Sequence, residues 1–408
     1  MRKRVVITGM ALASPLGNTV QSAFERLHKY ENCVLYLKEL GEYKRMNTRL
    51  GAPALDFEIP EHFNRKVTRT MGRVSLMAAV TAENALKDAG LLGDEIISNG
   101  ETGVSYGSSM GTLDAIMDFN MMMVDKEVKN VTSATYIKMM PQTTAVNISL
   151  YLKTRGKLIP TASACTSGSM GIGYAFEAIR DGYQKVMIAG GAEELHHTQL
   201  AIFDTLYATS TKNDTPKLTP SPFDRDRDGL VIGEGAGTLI LEEYEYAKKR
   251  CAKIYAEIIG FNLNTDGMHI TNPTAETMGI VMQNALSDAG ISADKIGYVN
   301  AHGTSTPHGD VAETIATYNI FKRAVPISTI KSYTGHTLGA CGALEAILAI
   351  EMMRNNWFSP NLNLVNIDNN CSPLDYIKDE GREIKTDLIM SNNFAFGGIN
   401  TSLILKKL

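Results

Sequence analysis

Short apolar runs of strand length alternate with longer amphipathic stretches along this chain. The runs Val5 to Thr8, Val186 to Gly190, Ile254 to Ile259, Val299 and Ile327 to Ile330 are separated by segments of helical period, a pattern that predicts α/β layers. One helical segment occurs twice: "ENALKDAGLLGDEI" at 83–96 returns as "QNALSDAGISADKI" at 283–296, 200 residues later. Each copy predicts an amphipathic helix closed by glycine, Gly90 or Gly290, then a strand and a Gly/Ser/Thr loop, "TGVSYGSSMGT" in one case and "IGYVNAHGTST" in the other. Further on, "GEGAGTLILEE" at 233–243 parallels "GGINTSLILKK" at 397–407, each a glycine loop entering a β-rich run. These runs are expected to close two halves of one design, residues 1–250 and 251–408. Residues 110–160, rich in methionine and polar residues, have no evident counterpart and are expected as an insertion that covers or lines a site, with Met117 and Met121 to Met123 equally readable as core.

Composition narrows the function classes. With 408 residues and 44% hydrophobic content the chain buries a large core in two similar-sized units. No run of 18 apolar residues suggests a membrane span, and "MRKRVVITGM" passes from a charged start into a strand with no cleavage site, so a cytoplasmic protein is expected. Five widely spaced cysteines without a CxxC pair predict free thiols, with neither a disulfide framework nor a metal site. A net charge of -4 provides no broad field for nucleic acid or an anionic membrane, which leaves small or locally recognised partners.

Two motifs invite chemistry and are set aside. "DRDRDGLVIGEG" places Asp224, Asp226, Asp228 and Gly229 at the first, third, fifth and sixth positions of an EF-hand loop, but the twelfth is Gly235, with Glu234 one place early. Its flanks are strand-like, so a turn with Asp/Arg pairing is expected and no calcium site. "GEGAG" lacks the third glycine of a dinucleotide loop and runs into β-branched residues where a helix should begin.

The stretch "GKLIPTASACTSGSMGIGYAFEAIRDGY" predicts a strand ending near Thr161, a tight turn, and a helix from after Cys165 to about Arg180. Cys165 then sits at a helix N-terminus, where unpaired N–H groups and the positive dipole end favour a thiolate nucleophile. Gly168, Gly171 and Gly173 cost helix propensity, so they predict close packing against another backbone. An isolated cysteine is more often a small core residue, and the second half supplies what shifts that balance. "NAHGTSTPHGD" carries His302, and "STIKSYTGHTLGACGALEA" carries Lys331 and His336, each histidine in a glycine-rich loop after a strand. If the halves pack about a pseudo-twofold axis, the loops bearing Cys165, His302 and His336 meet at one end of the layers. Lys331 precedes Glu345 by 14 residues, and Glu345 lies in a Gly/Ala-rich helix expected to be buried, so the two are expected to pair.

Taken together, "TASACTSG", "YVNAHGTSTPHGD", "IKSYTGHTLGACGALEA" and "SNNFAFGGINTSLI" resemble the β-ketoacyl-acyl carrier protein synthases of the elongating, synthase II type, in the thiolase-fold superfamily, over essentially the whole chain. That resemblance implies duplicated βαβαβαββ halves in five αβαβα layers, and an acyltransferase without cofactor or metal. Its partner would be an acyl carrier protein, acyl- and malonyl-loaded, and its assembly a homodimer, with a heterodimer as the alternative. Cys165 would take the acyl chain, with its own N–H and that of Phe396 as oxyanion hole and Phe396 as a gate. His302 and His336 would bind the malonyl thioester carbonyl while carbon dioxide leaves, and Lys331 with Glu345 would tune and position them. Thr304 and Thr306 would hold the pantetheine arm, Met110 and Phe203 would line the acyl pocket, and Arg65, Lys66 and Arg69 would dock the acidic carrier.

Departures from the family pattern bear on substrate. Where a glycine-rich "GFGA" is usual, the chain has "LAIFDTLYATS" with Asp204 and Tyr207, one residue shorter and without a basic docking residue. "AFGGIN" replaces "GFGGTN", and the early "YKRMNTRLGAP" is unusual for housekeeping enzymes. These features resemble synthases of aryl polyene clusters, which implies unsaturated or aryl-primed chains in place of saturated fatty acyl chains. Competing readings fit less well. A non-catalytic chain-length partner lacks the nucleophilic cysteine, and a degradative thiolase needs a second catalytic cysteine, whereas Cys341 lies in the helix after His336. A priming synthase with a Cys/His/Asn set is opposed by His336, and a scaffold requires Cys165 to be unreactive.

Overall fold

The computed structural model describes residues 2–271 and 273–408. In the N-terminal part, strands β1 (Val5–Ala13), β2 (Thr102–Gly107), β3 (Leu158–Thr161), β4 (Val186–Glu193) and β5 (Gly235–Glu243) lie side by side in the order β3-β2-β4-β5-β1. The C-terminal part contributes β6 (Ala256–Thr265), β7 (Tyr298–Asn300), β8 (Pro326–Ser328), β9 (Asp375–Tyr376), β10 (Leu388–Ala395) and β11 (Ile399–Lys406), in the order β8-β7-β10-β11-β6 with β9 added outside β8. Both runs carry the same directions: three parallel neighbours, then two antiparallel steps. β1 and β6 join the runs by antiparallel pairing of Val5 with Ile258. The parallel "GEGAGTLILEE" and "GGINTSLILKK" segments become β5 and β11, the equivalent strands of the two runs.

Between the two runs lie two central helices, Ser167–Arg180 and Cys341–Asn355, which pack against each other and against strands of both halves. Buried residues encircle the second, from Cys341 through Met353, as expected of a helix with no solvent face. The outer faces are covered by Arg73–Asp88 and Thr143–Leu152 on one side and by Ala275–Ala289 with Pro307–Phe321 on the other. This is the layered α/β arrangement that the sequence pattern predicts, in the thiolase-type form that the resemblance implies. Gly168 and Gly171 explain the closeness of the centre. A Cβ on Gly168 would lie 2.9 Å from the Gly339 carbonyl oxygen, and one on Gly171 would lie 2.5 Å from that of Gly190.

Two expectations change. Thr143–Leu152 and β3 occupy the places that Pro307–Phe321 and β8 hold in the second half, so the extra segment is narrower than 110–160 and centres on helices Leu113–Asp125 and Ser133–Met139. Met117, Met121 and Met123 are exposed on the first of these helices, not core, because its neighbours bury only Leu113 and Ala115. Among the described residues no helix is long and apolar enough to cross a membrane.

Candidate active site

Strand β3 ends at Thr161 and the chain turns sharply through a 3-10 turn, Ala164–Thr166, before the Ser167–Arg180 helix. Ala164 holds a φ of +49°, a costly conformation for a residue with a side chain, and it presents Cys165 at the turn's apex. His336 Nε2 lies 3.0 Å from Cys165 Sγ. The His302 ring stands edge-on to that of His336, with centroids 5.1 Å apart. Lys331 Nζ lies 3.3 Å from His302 Nδ1 and bonds Glu345, both of them 1% exposed. Because an ammonium only donates, Nδ1 of His302 accepts and its proton sits on Nε2.

Each histidine is supported differently, His302 from the second half and His336 from the first. Glu313, on the Pro307–Phe321 helix, accepts the backbone N–H groups of His302 and Gly303 at 2.8 Å each. His336 donates its backbone N–H to Val231 O at 2.7 Å and accepts from Gly233 N–H at 2.9 Å, so the "GLVIGEG" part of the discarded calcium-like motif holds this loop. Arg227 of the same motif is buried; it donates to Asp368 at 2.7 Å and to the carbonyls of Thr306 and Pro307, which anchors the loop bearing Thr304 and Thr306. The Asp/Arg pairing expected of that motif is therefore long-range as well as local.

Burial dominates the electrostatics. It pushes the Cys165 thiol up to about 12, against the opposing pull of Lys331 and of the N–H groups of Phe396 and Cys165. The resting nucleophile is therefore a thiol and not the thiolate expected from its helix position, since desolvation of a residue only 4% exposed outweighs the dipole. Burial, then Lys331, holds both His302 and His336 well below the ordinary histidine range, so both imidazoles are neutral. Burial opposes the Lys331 charge, yet its surroundings, Glu345 foremost with Cys341 and Glu313 adding to it, hold the ammonium above the usual lysine range.

A cavity of about 360 Å³ opens onto these groups, and Cys165, His302, His336, Phe203, Thr304, Thr306 and Phe396 all line it. The Phe203 and Phe396 rings face each other across 5.0 Å, and Gly397 and Gly398 follow with positive φ. Thr304 and Thr306 share a hydrogen bond of 2.9 Å. Met110 does not reach the cavity: its loop turns toward Met139, against which Gly111 packs. Arg65, Lys66 and Arg69 project into solvent from and beside the Arg65–Thr68 turn, which Asn64 caps. Sequence reading missed Asn393, whose Nδ2 lies 2.7 Å from Glu345 and 3.4 Å from His302 Nδ1, although it sits in the quoted "SNNFAFGG". Glu313 was equally absent from that reading; a carboxylate 11 residues after His302, in the middle of a helix, was its signal.

The Beta-ketoacyl synthase N-terminal domain model matches residues 2–247 and the C-terminal domain model residues 255–365. A crystal structure of a beta-ketoacyl synthase from Burkholderia phymatum is 55% identical, covers all of both chains and superimposes with a TM-score of 0.98. The 3-oxoacyl-[acyl-carrier-protein] synthase 2 of Vibrio cholerae is 36% identical over the full length of both. A ketosynthase solved in complex with its type II polyketide acyl carrier protein, and bound to the hexaketide, is 26% identical over both full chains, with a TM-score of 0.89. The chain belongs to the β-ketoacyl synthase family.

Proposed function

We infer that this enzyme joins an acyl group to the two-carbon unit of a malonyl carrier thioester, releasing carbon dioxide and leaving a β-ketoacyl carrier product. The observation that carries this reading is the thiol of Cys165 set 3.0 Å from a neutral imidazole, with a second neutral imidazole beside it and a cavity in front. Cys165 Sγ attacks the acyl thioester carbonyl, and its proton passes by way of His336 Nε2 to the departing pantetheine thiolate. The N–H groups of Phe396 and Cys165, both directed at Sγ, receive the oxyanion. In the second half-reaction His336 takes the tautomer with its proton on Nε2, and the malonyl thioester oxygen accepts from His302 Nε2–H and His336 Nε2–H. Carbon dioxide leaves, the enolate oxygen is held by the same two donors, and the carbanion attacks the acyl-cysteine. The carbonyl re-forms as the S–C bond breaks. Water is kept out by Phe203, Phe394 and Phe396, which wall the cavity.

The acyl carrier protein is the partner this chemistry requires, entering where Thr304 and Thr306 line the cavity, with Arg65, Lys66 and Arg69 as an exposed basic patch for its acidic face. The catalytic unit is a homodimer, and each chain divides near residue 250. Aromatic lining by Phe203, Tyr207, Phe394 and Phe396 favours planar, unsaturated chains of the aryl polyene type over saturated fatty acyl chains. Intact-protein mass spectrometry tests the reading: wild type takes up an acyl mass from saturated or polyunsaturated carrier thioesters, and Cys165→Ala takes up none. Absence of any adduct on wild type would overturn the condensing-enzyme reading, and the preferred donor chooses between the two pathways.

A further inference from the structure

Two segments, "YKRMNTRLGAP" at 43–53 and "LAIFDTLYATS" at 200–210, meet in the structure. Their joint is Asp204, which is 3% exposed. One carboxylate oxygen accepts the Asn47 backbone N–H at 2.8 Å and Asn47 Nδ2 at 3.1 Å; the other accepts the Thr48 N–H at 2.9 Å and the Thr209 hydroxyl at 3.0 Å. All four donors are uncharged. A buried carboxylate is tolerated only when such donors converge on it, and breaking the set leaves buried N–H groups without partners. Further ties run alongside: Tyr43 stacks on His197 with centroids 4.8 Å apart, and Asn213 both accepts from Arg49 N–H and donates to Asn47 O.

What the joint fixes lies one residue away on each side. Asn47 follows Met46, and Asp204 follows Phe203. Met46 and Leu40 belong to the same buried apolar cluster as Phe203 and Cys165, but only the latter two line the cavity. Met46 and Leu40 therefore belong to the apolar packing that includes Phe203 without themselves reaching the cavity. We propose that Asp204 is a positioning residue for substrate selection: it locks the 37–50 segment onto the His197–Thr205 helix, so that Met46 and Leu40 back Phe203 and set how far an acyl chain on Cys165 can extend. Methionine suits this place, because a flexible thioether repacks around chains of different bulk. The proposal rests on the ketosynthase reading and concerns its acyl side alone; His302, His336 and the malonyl step lie outside the lock.

The test uses the intact enzyme with a series of acyl carrier thioesters of increasing length. Cys165 acylation is followed by mass spectrometry and malonyl carrier decarboxylation is measured in parallel. Met46→Ala, which leaves the lock intact, and Asp204→Asn, which disrupts it, are each expected to raise the ratio of longest to shortest donor acylation by about tenfold. Decarboxylation should stay within about twofold of wild type. An unchanged donor ratio in Met46→Ala overturns the backing role of Met46, and an equal loss for every donor in Asp204→Asn overturns the lock. Where Asp204→Asn fails to fold, Thr209→Val, which removes one donor from the lock, is read in its place with the same outcomes. A wild-type enzyme that accepts no donor overturns the ketosynthase reading itself.

Discussion

His302 and His336 face one cavity, yet their neighbours place their protons differently. Lys331 against Nδ1 puts the His302 proton on Nε2, where it is available as a donor, whereas His336 meets the thiol through Nε2 and is free to relay a proton. Both are held neutral by burial and then by Lys331, which depresses their affinity for protons. The sign for activity follows: malonyl decarboxylation should hold its rate as pH falls from about 7.5 to about 6, with its acid limb below the ordinary histidine range. Folded stability behaves differently, being fully present above the unfolded histidine pKa and declining as pH falls below it, since the unfolded chain binds the protons that the folded one refuses. Replacing the buried pair by Lys331→Met with Glu345→Gln removes a cation beside both rings, so the acid limb should move to higher pH. His302→Ala should lower decarboxylation by about 10² to 10³, the size expected for one oxyanion donor. A pH–rate profile of carbon dioxide release on the three proteins checks these statements, and an acid limb that does not move in the double variant would remove Lys331 from the account.

At the level of elements, the central helix pair decides whether the nucleophile is held. Ser167–Arg180 starts at the turn that carries Cys165, and Cys341–Asn355 starts a few residues after His336, so the spacing of these two helices sets the thiol–imidazole distance. The Gly171 contact with the Gly190 carbonyl leaves no room for a methyl group, because backbone stands on the far side. Gly171→Ala is expected to destabilise the fold by about 1–3 kcal/mol and to lower acylation at the same time, since relief of the clash displaces the helix from β4. Differential scanning calorimetry with a mass-spectrometric acylation assay reads both; an unshifted melting temperature would show that the strand yields instead. Much of this was legible beforehand. The three glycines signalled close packing, and the Gly/Ala-rich "GACGALEAILAIEMM" signalled a buried helix around Glu345. The extent of the extra segment was not legible, because Thr143–Leu152 and Pro307–Phe321 fill equivalent places with unrelated sequences.

For the molecule as a whole, the edge of the layered sheet bears on assembly. Among the described residues β3 pairs only with β2, and Leu158 is exposed on it, which leaves a row of backbone groups unpaired at the margin of the N-terminal half. Exposed Met117, Met121 and Met123 stand on the helix of the extra segment, an apolar surface of the kind an obligate partner covers. The protein should therefore migrate in light scattering at twice its 44.5 kDa chain mass, and Ile159→Lys on β3 should shift it toward the single-chain mass. A wild type that stays at one chain mass across concentration would rule out the homodimer.

What the chain determined alone was everything written in local order. Period and repeat gave the α/β duplication, and glycine-rich loops after strands marked Cys165, His302 and His336 as candidates, because turns and nucleophile sites impose short-range constraints on neighbouring residues. Distances and charges were decided only by tertiary structure. Cys165 is a neutral thiol because packing removes water from it, whatever its helix end favours. Asn393 joins Glu345 to His302 because β10 runs beside β7, and Met110 misses the cavity because its loop turns toward Met139. Asp204 reaches Asn47 from 157 residues away. Contacts of that separation depend on how whole layers stack, and desolvation depends on everything around a group; neither is encoded in the residues next to it.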